Sequence, residues 1–330
     1  MSQPRKRCLT GIRATGQLHL GNLVGAVQPA LSYQSDYDCF FFIADLHALT
    51  SNHDGALVAS YSLDVAAHWI ALGMDIKHHC LYRQSDLPWT AEFAWYLSCV
   101  TGLGLLLKGH SYKDGEAKGT DLNHGVLAYP VLMAADIIMY DADIVPVGKD
   151  QKQHVEMARD MAGSFNATYR GEFLKLPQPI LQEETMSIPG LDGRKMSKSY
   201  DNGIPIFADE KTLRKLCLSI KTDSTPLEAP KELKGSLVGD LFSVVATSSQ
   251  FEDLSARLAK GGMGWGHAKE ELFVAIRDKM AEPRKHYQEL MNDQATLLQH
   301  LEEGADRAAA VARPVLDRVR LAVGLGPHRL

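Results

Sequence analysis

The chain has 330 residues, a formal net charge of −5, 45% hydrophobic and 23% charged residues, the composition of an ordinary globular protein long enough for two domains. The mild acidity excludes a general nucleic-acid coat, so any nucleic-acid contact has to be local, through a few Lys and Arg. Cys8, Cys39, Cys80, Cys99 and Cys217 are scattered and odd in number with no CxxC pair, which argues against a disulfide framework or a protein-held metal and fits a reducing cytoplasm.

In chain order, residues 8–13 read as a short strand, followed by a Gly-containing turn and a helix through residues 20–34. Residues 39–46 (CFFFIADL) form a continuous apolar run, as expected of a strand covered on both faces. A helix over 56–72, a strand at 80–83 and a helix near 91–107 continue the alternation. Residues 143–148 (DIVPVG) add a strand that opens into a helix from about Asp150. This pattern predicts an α/β fold, a Rossmann-type doubly wound parallel sheet. Residues 108–125 are rich in Gly and Lys without periodicity and read as a functional loop. Residues 178–205 read as irregular. Beyond Phe207 the strand signals stop and five helical patterns follow, which places a catalytic domain at 1–205 and a helical domain at 206–303. No run approaches the ~18 apolar residues of a membrane span, and none of leader length follows Arg5-Lys6-Arg7, so a membrane is not expected as a partner.

Four segments carry chemistry. The turn 11–22 (GIRATGQLHLGN) joins a strand to a helix N-terminus, where free N–H groups and the helix dipole favour a phosphate. His19 and Asn22 flank Gly21, whose missing Cβ admits a ring or ribose; a capped helix with an incidental histidine explains the same residues. Residues 194–199 (RKMSKS) set Lys195 and Lys198 three apart in the irregular stretch, a cationic clamp suited to a polyphosphate whose charge shifts during displacement. In YPVLMAADIIMY (129–140), Tyr129, Met133, Asp136 and Tyr140 share a helix face. A carboxylate in such a stripe demands a partner, which a buried ion pair or the single N–H of an indole could supply, with Val145 and Val147 as apolar walls. In VGKDQKQH (147–154), Asp150 and Gln153 fit a capping box, and Gly148, Asp150 and Gln151 stand at a strand's carboxyl end, where ribose and amino groups are met.

A His-x-Gly-Asn turn followed by KMSKS is the paired signature of class I aminoacyl-tRNA synthetases. With FIADLHALT (42–50), GNLVGA (21–26), YPVLMAADI and DIVPVGKDQKQH, nearly the whole chain resembles bacterial tryptophanyl-tRNA synthetases. The resemblance implies a tryptophan site in which Asp136 accepts the indole N–H. Leu9, His47, Met133, Val145 and Val147 would wall the ring, and Tyr129 and Gln151 would hold the α-amino group. It implies an ATP site at Gly11, Arg13, Ala14, Thr15, Gly21, Asn22, Gly148, Lys149, Asp150, Thr185 and Met186, continued by Lys195, Met196, Ser197, Lys198 and Ser199. His19, Asn22, Lys195 and Lys198 are the expected catalytic groups. Magnesium would arrive as Mg-ATP, with no protein-held metal. L-tryptophan, ATP, tRNA(Trp) and a second copy in a homodimer are the implied partners, and DNA is not. The helical domain would bind the anticodon, with Lys211, Arg214, Lys215 and Lys221 as candidate phosphate contacts, and the helix over about 304–330 would pack back on the first domain.

Four positions depart from common members of that family: Leu9 replaces an aromatic residue, Arg13 a glutamine, Gly115 a phosphate-reaching lysine and Lys149 an acidic residue. Arg13, with Lys113 or Lys118, is expected to supply the cationic group that Gly115 cannot offer to the phosphates. Rival readings are a tyrosyl-tRNA synthetase, an inactive nucleotide- or RNA-binding paralogue, and a small HxGH nucleotidyltransferase. The first is disfavoured by Val145-Pro146-Val147 and Met133, where polar residues would face a phenol. The last leaves the helical half and KMSKS unexplained.

Overall fold

The computed structural model describes residues 5–14, 16–109, 112, 122–148, 151–181 and 188–326. Its strands are β1 (Arg7–Arg13), β2 (Asp38–Ala44), β3 (Cys80–Arg83), β4 (Ile144–Val147) and β5 (Gln178–Leu181). Its longer helices are α1 (Gly55–Ala71), α2 (Trp89–Ser98), α3 (His124–Ile138), α4 (Lys152–Tyr169), α5 (Glu210–Ser219), α6 (Leu237–Val245), α7 (Ser248–Ala259), α8 (Trp265–Lys279), α9 (Ala281–Asn292) and α10 (Gln294–Ala322).

The chain divides into two compact units. One comprises Met1–Gly16, Ala30–Glu183 and Asp293–Leu330; the other comprises Gln17–Pro29 and Glu184–Asn292. A single cut at residue 205 therefore does not describe the division. Both signature segments, the turn after Gly16 and KMSKS, group with the helices rather than with the sheet.

The first unit is a parallel sheet in the order β3-β2-β1-β4-β5. The chain starts in the middle and winds outward both ways, the doubly wound arrangement in which strand carboxyl ends near the reversal point carry ligands. In β2 every residue from Cys39 to Ala44 is buried, which explains its unbroken apolar run. Leu9, Phe40, Phe42 and Tyr82 join the large core with residues of α3 and α4. Phe41 instead meets Trp69 of α1 edge-on at 4.7 Å.

Three local expectations change. β5 pairs with β4 from Ile144↔Gln178 to Val147↔Leu181, although the sequence over 178–205 reads as irregular. It is short, carries Pro179 and lies at the sheet edge, where a missing N–H is tolerated. The helix expected over 91–107 is α2 plus a separate turn at Leu103–Leu106, because Gly102 between them is extended (φ −69°, ψ 135°). The helix expected over 20–34 is a series of short turns, Leu20–Asn22, a π-helical Leu23–Val27, Gln28–Ser32 and Tyr33–Ser35.

α10 covers the edge strand β3. A Cβ on Gly304 would lie 1.9 Å from the Leu81 carbonyl oxygen, so only glycine lets the helix come this close. Arg307 donates to the carbonyls of Ile76 (2.6 Å) and His79 (3.1 Å), and Arg320 is paired with Glu92 of α2 (2.6 Å). A strand edge that could template aggregation is thereby masked.

The second unit is helical, and α5, α6 and α7 start on side-chain caps. Asp209 accepts from the Thr212 N–H, Ser236 from Gly239, and Thr247 forms a capping box with Gln250. Lys231 is buried, and its ammonium donates to the carbonyls of Pro226, Leu227 and Ala229.

Candidate functional site

In the α/β unit, α3 starts on Asn123, whose side chain accepts the Val126 N–H (3.1 Å). The helix then carries Tyr129 and Asp136 inward, both buried, with Met133 half-buried against the core that contains Val145 and Val147. Asp136 is only 3% exposed. Its Oδ1 accepts from Gln84 Nε2 at 2.9 Å, and its Oδ2 accepts from Gln84 Nε2 at 2.8 Å and His47 Nε2 at 3.0 Å. Burial pushes the Asp136 carboxyl above the usual carboxylate range, while the His47 and Gln84 donors pull it back. Of about four acceptor positions on a carboxylate, three are taken.

His47 lies in the short helix Asp45–Ala48 that follows β2 directly, so the strand end delivers it to Asp136. Its ring meets Tyr129 edge-on, with centroids 6.1 Å apart. The Tyr129 hydroxyl is 2.6 Å from Nε2 of His154 in α4. Tyr140, on the same face of the stripe, belongs to an aromatic stack instead, 5.3 Å from Phe40 and 5.8 Å from Tyr82. Leu9, Val145 and Val147 are buried in that same core, and Gln151 is exposed at the N-cap of α4. Gln153 donates to the Lys108 carbonyl (3.3 Å), and its expected capping-box partner Asp150 lies outside the described residues.

Gly11 and Arg13 are exposed on β1, Ala14 is fully buried, and Gly148 is exposed after β4. Gly11 has a packing reason of its own: a Cβ there would lie 2.4 Å from the Phe42 ring. Thr15, Lys149, Asp150, Thr185 and Met186 lie outside the described residues, as do Lys113, Gly115 and Lys118.

The helical unit brings the two signature segments together. The Leu20 N–H donates to Ile204 O (2.9 Å) and the Ile206 N–H to Leu18 O (3.0 Å). The Gly21 N–H points at the sulfur of Met196, 3.2 Å away, and Met196 is buried while Lys195, Lys198 and Ser199 are exposed and Ser197 is half-buried. A Cβ at Gly21 would meet His19 Nδ1 at 2.9 Å and Met196 Cβ at 3.4 Å, so glycine permits this approach. His19 and Asn22 form a reciprocal capping box: His19 Nδ1 accepts the Asn22 N–H (3.2 Å), and Asn22 Oδ1 accepts the His19 N–H (3.0 Å). The capping explanation and the ligand explanation are both available to His19, because among the described residues only Nδ1 is used. Burial, then the positive charge of Lys198, holds its pKa below the ordinary histidine value. The neutral ring with Nδ1 accepting carries its proton on Nε2.

The KMSKS loop is shaped by Asn202, which is buried at 3% exposure. Its Oδ1 accepts the Ser197 N–H (2.9 Å), and its Nδ2 donates to Asp192 (2.7 Å) and to Lys195 O (3.2 Å). Arg194 is turned away by Asp192 (2.6 Å) and covers the Tyr200 ring at 4.2 Å. The Asn202 and Arg194 donors hold Asp192 down at about 2. Among the candidate tRNA contacts, Arg214 is already paired with Glu270, while Lys211, Lys215 and Lys221 are exposed.

The family profile described as class I tRNA synthetases (W and Y) matches residues 1–313. The chain belongs to this family. The Fusobacterium nucleatum tryptophan–tRNA ligase is 42% identical over 320 residues, covering 97% of this chain and 98% of its own. The Xanthomonas axonopodis tryptophan–tRNA ligase is 44% identical over 336 residues, covering 98% of this chain and 78% of its own. The crystal structure of Campylobacter jejuni tryptophanyl-tRNA synthetase complexed with ADP and tryptophan superposes with a TM-score of 0.93 at 42% identity, covering 97% of this chain and all of that one. Family membership accounts for the joined signature segments and for the sheet order. Gln84, His154 and Asn202 are site residues that pattern reading passes over. Gln84 and His154 act through partners 25 to 52 positions away, and Asn202 through residues 5 to 10 positions away in the folded loop, contacts that side-chain spacing does not announce.

Proposed function

We propose that this chain activates L-tryptophan with Mg-ATP and transfers it to tRNA(Trp). One observation carries the choice of amino acid: a buried carboxylate, Asp136, among apolar and aromatic side chains, with an acceptor position to spare. An indole has one N–H, which can only donate, so an ionised acceptor in an apolar setting matches it. Relatives at 42–44% identity that are tryptophan–tRNA ligases support the same reading.

The tryptophan carboxylate attacks the α-phosphorus of ATP, forming tryptophanyl-AMP and releasing pyrophosphate. A ribose hydroxyl of the 3′-terminal adenosine of the tRNA then takes the acyl group and AMP leaves. Neither step needs a covalent enzyme intermediate, so the protein's work is positioning and charge stabilisation. Exposed Lys195 and Lys198 would follow the charge moving onto pyrophosphate, and neutral His19 would donate from Nε2. Asn22 holds His19 in that tautomer. Gly21, Met196, Ser197 and Ser199 shape the phosphate side in the helical unit. Resemblance assigns Gly11, Arg13, Ala14, Thr15, Gly148, Lys149, Asp150, Thr185 and Met186 to ATP. Leu9, His47, Met133, Val145 and Val147 would wall the indole, with Tyr129 and Gln151 on the α-amino group. The same reading makes the enzyme a cytoplasmic homodimer, checked by sedimentation velocity.

Pyrophosphate exchange into ATP, run with each amino acid in turn, tests the assignment. Exchange with tryptophan alone is expected. Exchange with tyrosine instead, or with nothing, would overturn it.

A further inference from the structure

We propose that Gln84 is the positioning residue for amino-acid selection: its amide donates to both Asp136 oxygens and orients the carboxylate to accept the indole N–H. This rests on the tryptophan reading above. Gln84 is 1% exposed and opens the tight turn Gln84–Asp86 at the end of β3. The turn is fixed from both sides. Asp86 accepts from the Arg83 N–H (3.0 Å) and from its guanidinium (2.6 Å), and the Ser85 N–H donates to Asp45 (3.0 Å).

The amide can sit only one way round. Oε1 accepts the His47 N–H (3.3 Å) while Nε2 donates to both Asp136 oxygens (2.9 and 2.8 Å). A flipped amide would put an oxygen against a carboxylate and an N–H against an N–H, two repulsive contacts at once. Gln84 therefore ties the segment after β2 to α3 and fixes the orientation of the acceptor. Donors favour the charged carboxylate against burial, which would otherwise protonate it and leave the indole N–H facing a weaker acceptor. The titratable groups facing Asp136 are His47 and Asp45 from the segment after β2, Tyr82 from β3 and Tyr140 past the end of α3.

Two variants test the role against plain packing. Gln84→Met keeps the volume and removes the donors. Pyrophosphate exchange is measured with tryptophan and with its benzothiophene analogue, in which sulfur replaces the N–H. The ratio of kcat/KM values, tryptophan over analogue, should fall by at least about tenfold, the size of a weakened hydrogen bond to a charged acceptor. A packing role lowers both substrates alike and leaves the ratio unchanged, which overturns the proposal. Gln84→Glu places two carboxylates in contact, so they share a proton. Its tryptophan kcat/KM should then fall as pH rises through the loss of that proton, where wild type stays flat. A profile parallel to wild type also overturns the proposal. Wild-type exchange with tryptophan keeps the two questions apart: its absence removes the functional reading, whereas its presence with an unmoved ratio removes only the role of Gln84.

Discussion

His47 Nε2 lies 3.0 Å from Asp136 Oδ2, so the segment that ends β2 supplies a donor to a carboxylate carried by α3. The pair leaves an acceptor position on Asp136 unused, and Asp136→Ala removes it. Tryptophan kcat/KM should fall about 10- to 150-fold, the value of one hydrogen bond to a charged group, with the ATP KM nearly unchanged. Steady-state pyrophosphate exchange measures both. An equal rise in the two KM values would mean a collapsed site rather than a missing acceptor.

The same carboxylate has a stability signature. Its folded pKa is raised by burial above the usual carboxylate range. The folded state therefore binds its proton more tightly than the unfolded chain. The stabilising contribution is full below the unfolded value and is lost as pH rises through the folded one. Asp136→Asn cannot titrate, so wild-type stability minus that of the variant should decline with rising pH across this window. Urea unfolding at a series of acidic pH values reads the slope, and a rising difference would contradict the burial assignment.

His19 titrates the other way. Burial and then Lys198 lower its pKa, so the neutral ring is the stable form above the unfolded value and its contribution is lost as pH falls through the folded value. In Lys198→Gln the second cause disappears and the first persists. The His19 ring resonances should then titrate at higher pH than in wild type but still below an ordinary histidine. No movement on removing the lysine would separate the two signature segments electrostatically.

Much of this site is legible in sequence because its chemistry is local. The apolar run of β2, the glycine turn with His19 and Asn22, and Asp136 in an apolar stripe all announce themselves within a dozen residues. What escapes depends on tertiary pairing. β5 is recognisable only beside β4, since four residues with a proline carry no period of their own. Gln84 acquires its role from His47, 37 positions away, and from Asp136, 52 positions away. The grouping of residues 17–29 with the helical unit follows from hydrogen bonds to residues 204–206 and from Met196, none of which local patterning can show.

Arg13 is the last residue of β1, in register with Ala44 and exposed. If it supplies a phosphate contact, Arg13→Gln should raise the ATP KM about 10- to 150-fold while tryptophan KM holds, since a charged hydrogen bond contributes about 1.5–3 kcal/mol. Initial rates over an ATP series decide it, and an unchanged ATP KM would leave the arginine without a role in nucleotide binding.

The docking of α10 gives a prediction about stability alone. Arg320 is buried, and its guanidinium makes two bonds to Glu92 of α2, at 2.8 and 2.6 Å. Arg320→Met leaves Glu92 without that partner. The loss should fall below the roughly 3–5 kcal/mol of a fully buried pair, because the Glu92 side chain keeps 29% exposure and can rehydrate. The double variant Arg320→Met with Glu92→Gln should recover part of it, since Glu92 then carries no uncompensated charge, while Asp317, the other partner of Arg320, is exposed enough to rehydrate. Because α10 covers β3, amide hydrogen exchange at Cys80–Arg83 should quicken in the single variant while β1 stays protected. Uniform exchange across both strands would show that the helix and the sheet unfold as one unit.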